Sequence, residues 1–171
     1  YDQKTLIDHS ASEIETADTD ILMDAIRAAF NSEEIQFYTG TCYRNICVWK
    51  GGHIVDIVPP HDHLGKKVTE LLPTEKLFRD MMEKSFEILN NHPLNIERAK
   101  KGLNKANSLW FWGAGTKPKF DGFEARTGMK GAMISAVDLL KGIAVGDGML
   151  VKEVEGATGS LHTNYEGKAN A

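Results

Sequence analysis

Residues 131 to 155 read as strand, helix and strand in immediate succession, and no other stretch constrains the fold as tightly. Gly131 to Ile134 is a short buried-strand run, Ser135 to Ala144 is helical, and Met149 to Glu155 is again strand-like. Strands joined through a helix lie parallel, so the stretch predicts a compact βαβ unit, the building block of a parallel sheet. Ser135 and Asp138 have spacing like that of a capping box, which predicts Ser135 as the N-cap.

The preceding residues have a different character. Ile21, Leu22, Ala25, Ile26, Ala29 and Phe30 form one apolar stripe and predict a helix from Asp18 to Phe30, with Thr16 and Asp18 as caps and Asn31 and Ser32 as its stop. Three strand-like runs follow: Ile35 to Tyr38, Tyr43 to Trp49 and Ile54 to Val58. Turns at Thr39-Gly40-Thr41 and Lys50-Gly51-Gly52-His53 make them a meander, which Pro59 and Pro60 end. A second amphipathic helix is predicted from Thr74 to Leu89, a short one from beyond Pro93 to Leu103, and a strand from Ser108 to Trp112. The body thus reads as α+β and the tail as α/β, with a boundary that assigns residues 1–125 to one domain and 126–171 to the other.

Apolar residues make up 42% of the 171, enough for a real core. No apolar run is long enough to span a bilayer, and no signal peptide is visible. The chain starts without a Met, so it is expected to be an excised piece. The net charge is −4 and no Lys/Arg block argues for nucleic acid or a membrane surface, so an anionic ligand would need cations focused locally. Cys42 and Cys47 fall on opposite faces of the predicted strand and read as free thiols in a reducing cytoplasm.

Four places could carry chemistry. Pro59-Pro60-His61-Asp62-His63 is a stiff segment after a strand, where an imidazole and a carboxylate could bind a hydroxyl and exchange its proton. His61 and His63 could also be two metal ligands, though without a third nearby, or part of a polar turn. Arg44, in an otherwise apolar strand, is either a surface-face residue or an anion contact whose guanidinium suits carboxylate and phosphate. Trp112 to Lys119 is Gly- and Lys-rich, so backbone amides with Lys117 or Lys119 could approach an anion, although the spacing fits neither a Walker motif nor a dinucleotide fingerprint. The loop from Glu155 to Lys168 follows a parallel strand and offers His162 and Lys168 to an anionic group, or is an ordinary surface loop. Ser135 is no nucleophile elbow, because Met133 and Val137 stand where glycines are needed, and Asp8-His9-Ser10 is no triad, because adjacent side chains do not converge that way.

Several runs in order resemble the archaeal-type, 2,3-bisphosphoglycerate-independent phosphoglycerate mutases of the alkaline phosphatase superfamily. They are Phe37 to Arg44 with Val48-Trp49, Pro59 to Asp62, Ala106 to Pro118, Gly131 to Ala144, Glu155 to Gly159 and Thr163 to Ala169, which together cover nearly the whole chain. The resemblance implies a two-layer, ferredoxin-like α-β plait as a substrate-handling insert domain, followed by a βαβ segment of an alkaline-phosphatase-like α/β core. It implies a cytoplasmic glycolytic isomerase that interconverts 2- and 3-phosphoglycerate through a phosphoserine. Two divalent metal ions, manganese or magnesium, serve that reaction, with the serine and metal ligands outside the matched segment and no metal held by this chain. Within the chain it implies His61 and Asp62 as acid–base groups, Arg44 as the carboxylate or phosphate contact and Lys117 as a secondary anion contact. The partners expected are a small phosphorylated substrate and the remainder of the same fold, so the isolated piece should be inactive and should self-associate through apolar surface. The competing readings are a related phosphotransferase or phosphatase, homoserine kinase-like or phosphonopyruvate-related, and a non-catalytic anion-binding α+β domain.

Overall fold

The computed structural model describes residues 3–159 and 161–171, so Tyr1, Asp2 and, in the loop after the last strand, Ser160 lie outside it. The fold is mixed α and β with two small sheets, and the chain divides into two compact units, residues 1–115 and 116–171. Residues 116–125, grouped with the first domain on sequence, fall in the second unit: the Phe123 amide donates to Asp147 O at 2.8 Å.

In the first unit, helix α1 (Thr16–Phe30) leads into strands β1 (Ile35–Thr41) and β2 (Arg44–Trp49). Helices α2 (Lys76–Asn90) and α3 (Pro93–Lys100) follow. Strands β1 and β2 are antiparallel, with Ile35 opposite Trp49 and Phe37 opposite Cys47. Period-two alternation puts Ile35 and Phe37 on one face, where they join Leu22, Met23 and Ile26 of α1 and Phe78 and Met81 of α2 in one core. Each such side chain contributes about 1.5–3 kcal/mol by leaving water. Tyr38, Ile46 and Val48, on the other face, stay exposed.

Several local expectations fail for identifiable reasons. Helix α1 begins at Thr16 and its N-cap is Glu15, because the Thr16 hydroxyl is used elsewhere, accepting from the Cys42 amide at 3.0 Å. The hairpin turn lies at Cys42-Tyr43 rather than Thr39-Gly40-Thr41, and Cys42 carries φ of 55°. The register slips between Tyr38 and Thr41, a bulge in which the Gly40 amide donates to Asn45 Oδ1. A Cβ on Gly40 would lie 2.3 Å from Arg44 O, so the bulge requires glycine. Arg44 therefore opens β2 beside the turn instead of sitting inside a central strand.

The expected third strand, Ile54 to Val58, and the strand from Ser108 to Trp112 join no ladder among the described residues. In each run a side chain bonds one backbone group. Ser85 Oγ accepts from the Leu109 amide at 2.8 Å, and Trp110 Nε1 donates to Val58 O at 2.9 Å. Buried Asn95 pins the start of the second run, accepting from the Ala106 amide and donating to Leu89 O and Ala106 O.

Before α1 the backbone makes one turn of left-handed helix. Ala11, Ser12 and Glu13 have φ of 52°, 57° and 51°, and the Ile14 amide donates to Ser10 O at 3.0 Å. Left-handed residues with side chains cost roughly 1–2 kcal/mol each, so the surroundings must hold them. Asp8 accepts from the Ser10 and Ser12 amides and from Asn104 Nδ2, buried Arg98 donates to Ala11 O, and Ile14 anchors the turn in the core.

The second unit contains α4 (Phe123–Thr127), β3 (Ala132–Met133), α5 (Asp138–Gly146), β4 (Leu150–Val151) and α6 (Tyr165–Asn170). Strands β3 and β4 pair in parallel across α5, which is the βαβ unit expected, with shorter strands. Ser135 is not the N-cap of α5. That place is held by Val137, whose amide donates to Ser135 Oγ at 3.0 Å, so the hydroxyl stabilises the turn ahead of the helix.

Candidate functional site

The two prolines that end the extended run also set the site. Pro60 starts a short 3-10 turn, Pro60–Asp62, closed by the His63 amide donating to Pro60 O at 3.1 Å. The turn projects His61, and its ring meets two others. Trp112 lies edge-on with centroids 5.5 Å apart, and His9 lies at 6.0 Å and 64°. His9 in turn stands edge-on to Tyr43 at 5.3 Å, and the Arg44 guanidinium lies 5.2 Å from the Tyr43 ring centre. A row of rings thus runs from Trp112 through His61 and His9 to Tyr43 and ends in a cation. At the Trp112 end is an open cleft of about 450 Å³ lined by Val55, Asp56, Ile57, Pro59, His61, Trp112, Gly113 and Ala114.

Asp62 is exposed, and its Oδ1 is 3.9 Å from His61 Nε2. That separation is too long for a hydrogen bond between the two. Two nitrogens near this row are buried with no partner among the described residues, Nδ1 of His9 and Nδ1 of His63. An unpaired buried polar atom costs about 1–3 kcal/mol, so each marks a place where packing alone does not explain the residue.

Asp8, beside His9, is fully committed to the left-handed turn. Burial pushes its carboxyl up, but the bonds from Asn104, Ser10 and Ser12 together outweigh burial and leave it at about 2. Burial alone pushes the Cys47 thiol up to about 11.

Of the residues singled out on sequence, Arg44, His61 and Asp62 belong to the first unit, and Arg44 and His61 share the ring row. Lys117, His162 and Lys168 belong to the second unit. Lys117 and His162 are exposed, and Lys168 Nζ donates to Thr158 O at 2.8 Å, closing the loop that precedes α6. The ring contacts of His9 and Tyr43 were not legible in the sequence. Tyr43 looked like a strand residue and proves to be half of the turn. His9 sits beside a left-handed turn that contains no glycine to announce it.

The sequence profile of the 2,3-bisphosphoglycerate-independent phosphoglycerate mutases matches residues 1–95, which carry His9, Arg44, His61 and Asp62. The chain belongs to this mutase family. A mutase of this name from Methanosarcina barkeri is 47% identical over 169 residues, covering 96% of this chain and 42% of the relative. One from Geobacter sulfurreducens, named as probable, is 44% identical with the same coverage. Among solved structures, a Pyrococcus horikoshii protein superposes with a TM-score of 0.65 at 27% identity, over 97% of this chain and 41% of its own. The cofactor-independent phosphoglycerate mutase of Thermoplasma acidophilum gives 0.54 at 27% identity, over 96% and 46%. The chain therefore spans about two fifths of the length of the mutases it matches.

Proposed function

We propose that this chain is the substrate-handling part of a phosphoglycerate mutase that interconverts 2- and 3-phosphoglycerate through a phosphoserine. On this reading residues 1–125, which include the whole first unit and the start of the second, belong to a two-layer, ferredoxin-like insert domain, and residues 126–171 return to an alkaline-phosphatase-like core. What supports the first half is that α1 and α2 cover one face of the β1–β2 ribbon and leave the other open. What supports the second is the parallel β3–α5–β4 unit.

The observation that carries the functional reading is the row Trp112, His61, His9, Tyr43 and Arg44 beside an open cleft, within a chain of this family. A small phosphorylated acid needs a cation for its charge and a titratable pair for its free hydroxyl. Arg44 supplies the first through its planar fork. His61 and Asp62 supply the second, taking the proton from the glycerate hydroxyl as it attacks the phosphoserine and returning one to the oxygen that leaves. In the second unit, taken by itself, Lys117, His162 and Lys168 are proposed as anion contacts.

Two divalent metals, manganese or magnesium, belong to the proposal as groups that stabilise phosphoryl charge. Among the described residues no three His, Cys, Asp or Glu side chains converge to hold such an ion, so the residues here do not fit a metal centre and no step is assigned to them through one. The reading takes the metal ligands and the serine to belong to the rest of the family fold, and the compartment to be the cytoplasm. Among the described residues no helix is long and apolar enough to cross a membrane.

The test is a mutase assay on the intact native protein with manganese and without 2,3-bisphosphoglycerate, comparing wild type with His61→Ala/Asp62→Ala. Interconversion that collapses in the double variant supports family activity and site together. A folded, metal-loaded wild type that leaves both isomers untouched moves the assignment to a related phosphotransferase.

A further inference from the structure

We propose that His9 is a ligand contact of this site, sharing one oxyanion with His61, and that the left-handed turn at residues 10–14 is built to hold it there. The inference rests on the reading of the ring row as an oxyacid site.

Three observations converge on His9. Its ring centroid is 6.0 Å from that of His61, at 64°. Two imidazoles at that separation leave room for a single oxygen to accept a hydrogen bond from each. Its Nδ1 is buried and has no partner among the described residues. A phenyl ring would fill the same space against Tyr43 without burying a bare nitrogen, so packing does not account for an imidazole, and the contact proposed here is made by the other nitrogen, Nε2. Finally, the neighbouring carboxylate does not claim the ring. Asp8 spends its oxygens on the Ser10 and Ser12 amides, the Ser10 hydroxyl and Asn104 Nδ2.

The turn is braced from further along the chain. Arg98, 5% exposed, reaches Ala11 O, and the Asn104 amide donates to Ser12 Oγ at 2.9 Å. Strain that the surroundings over-determine in this way clusters at ligand sites. Here the residue displayed next to the strained turn is His9. Asp8, Arg98 and Asn104 are then positioning residues that act through it.

The experiment uses the intact native protein, loaded with magnesium and labelled with 15N-histidine, in wild type, His9→Phe and His9→Gln. Inorganic phosphate is titrated while the imidazole resonances are followed. The expected result is that both the His9 and His61 signals shift and saturate together. In parallel, His9→Phe raises the phosphoglycerate KM about tenfold or more with an unchanged melting temperature, and His9→Gln, which restores an N–H, recovers most of the loss. If phosphate moves His61 alone, or moves neither ring, the proposal is overturned whatever the enzyme's activity. If phosphate moves both rings in a protein that does not interconvert phosphoglycerates, the mutase reading fails and the His9 contact stands. A folded His9→Phe variant with an unchanged KM overturns the contact and leaves the mutase reading intact.

Discussion

Arg98 and Asp18 meet at 2.8 Å across 80 residues of sequence, and that contact ties α3 to the first turn of α1. The same guanidinium donates to Ala11 O and to Asn104 O, so one buried side chain closes the left-handed turn, α1 and the extended run after α3 into a single knot. Asp18 also lies where the positive end of the α1 dipole favours a carboxylate.

Removing that knot should cost more than an ordinary surface substitution. Arg98→Met leaves two carbonyls and a partly buried carboxylate without their partner, and about 2–4 kcal/mol of stability should be lost. Urea unfolding followed by circular dichroism measures it, and a loss below about 1 kcal/mol would show that the turn is held by its own internal bonds.

Acid should loosen the same region first. The Asp8 carboxyl is lowered from 3.8 to about 2, so its contribution is complete above pH 4 and disappears as pH falls from about 4 to 2. The shift corresponds to about 1–2 kcal/mol once solvent screening of a partly exposed group is allowed for. Asp20 is lowered too, by the Thr39 hydroxyl first and Arg27 next, and acts in the same direction. Thermal melts of wild type and Asp8→Asn between pH 2 and 6 should converge at the acid end and separate above pH 4. Parallel curves would contradict the assignment.

Asn95 is fully buried and serves three backbone groups: Leu89 O, Ala106 O and the Ala106 amide. Asn95→Leu has similar volume but strands all three, so it should destabilise the protein by about 3–5 kcal/mol. Hydrogen exchange at the Ala106 amide should speed up in this variant well before global unfolding, and continued protection there would argue that Asn95 only fills space.

With its thiol at about 11, Cys47 holds little thiolate at pH 8.5 in the folded state. Iodoacetamide should modify it far more slowly in native protein than in urea, as read by peptide mass spectrometry. Equal rates would mean that the β2 side of the core opens freely.

Much of the fold was legible from pattern. The apolar stripe Leu22, Ile26 and Phe30 predicted α1 to within two residues at its start, and the strand–helix–strand order of residues 131–155 predicted a parallel pair. The resemblance of several runs in order predicted the family that the profile match to residues 1–95 shows. These successes share a cause: periodicity and motif order are written one residue after another.

What failed depended on partners far along the chain. Ile54 to Val58 and Ser108 to Trp112 join no ladder among the described residues, and a side chain far along the chain bonds a backbone group in each: Trp110 at Val58 O and Ser85 at the Leu109 amide. The position of the hairpin turn was decided by the bulge at Gly40, which moved Arg44 to the end of the ribbon and stacked it on Tyr43. The turn that carries His61 was legible from its own neighbours, Pro59 and Pro60. The surroundings of His9 were not legible, because the left-handed turn beside it is held by Asp8, Arg98, Asn104 and the buried Ile14 together. Local composition set which elements this chain can form. Long-range hydrogen bonding, which no window of sequence contains, decided which of them pair and which rings meet.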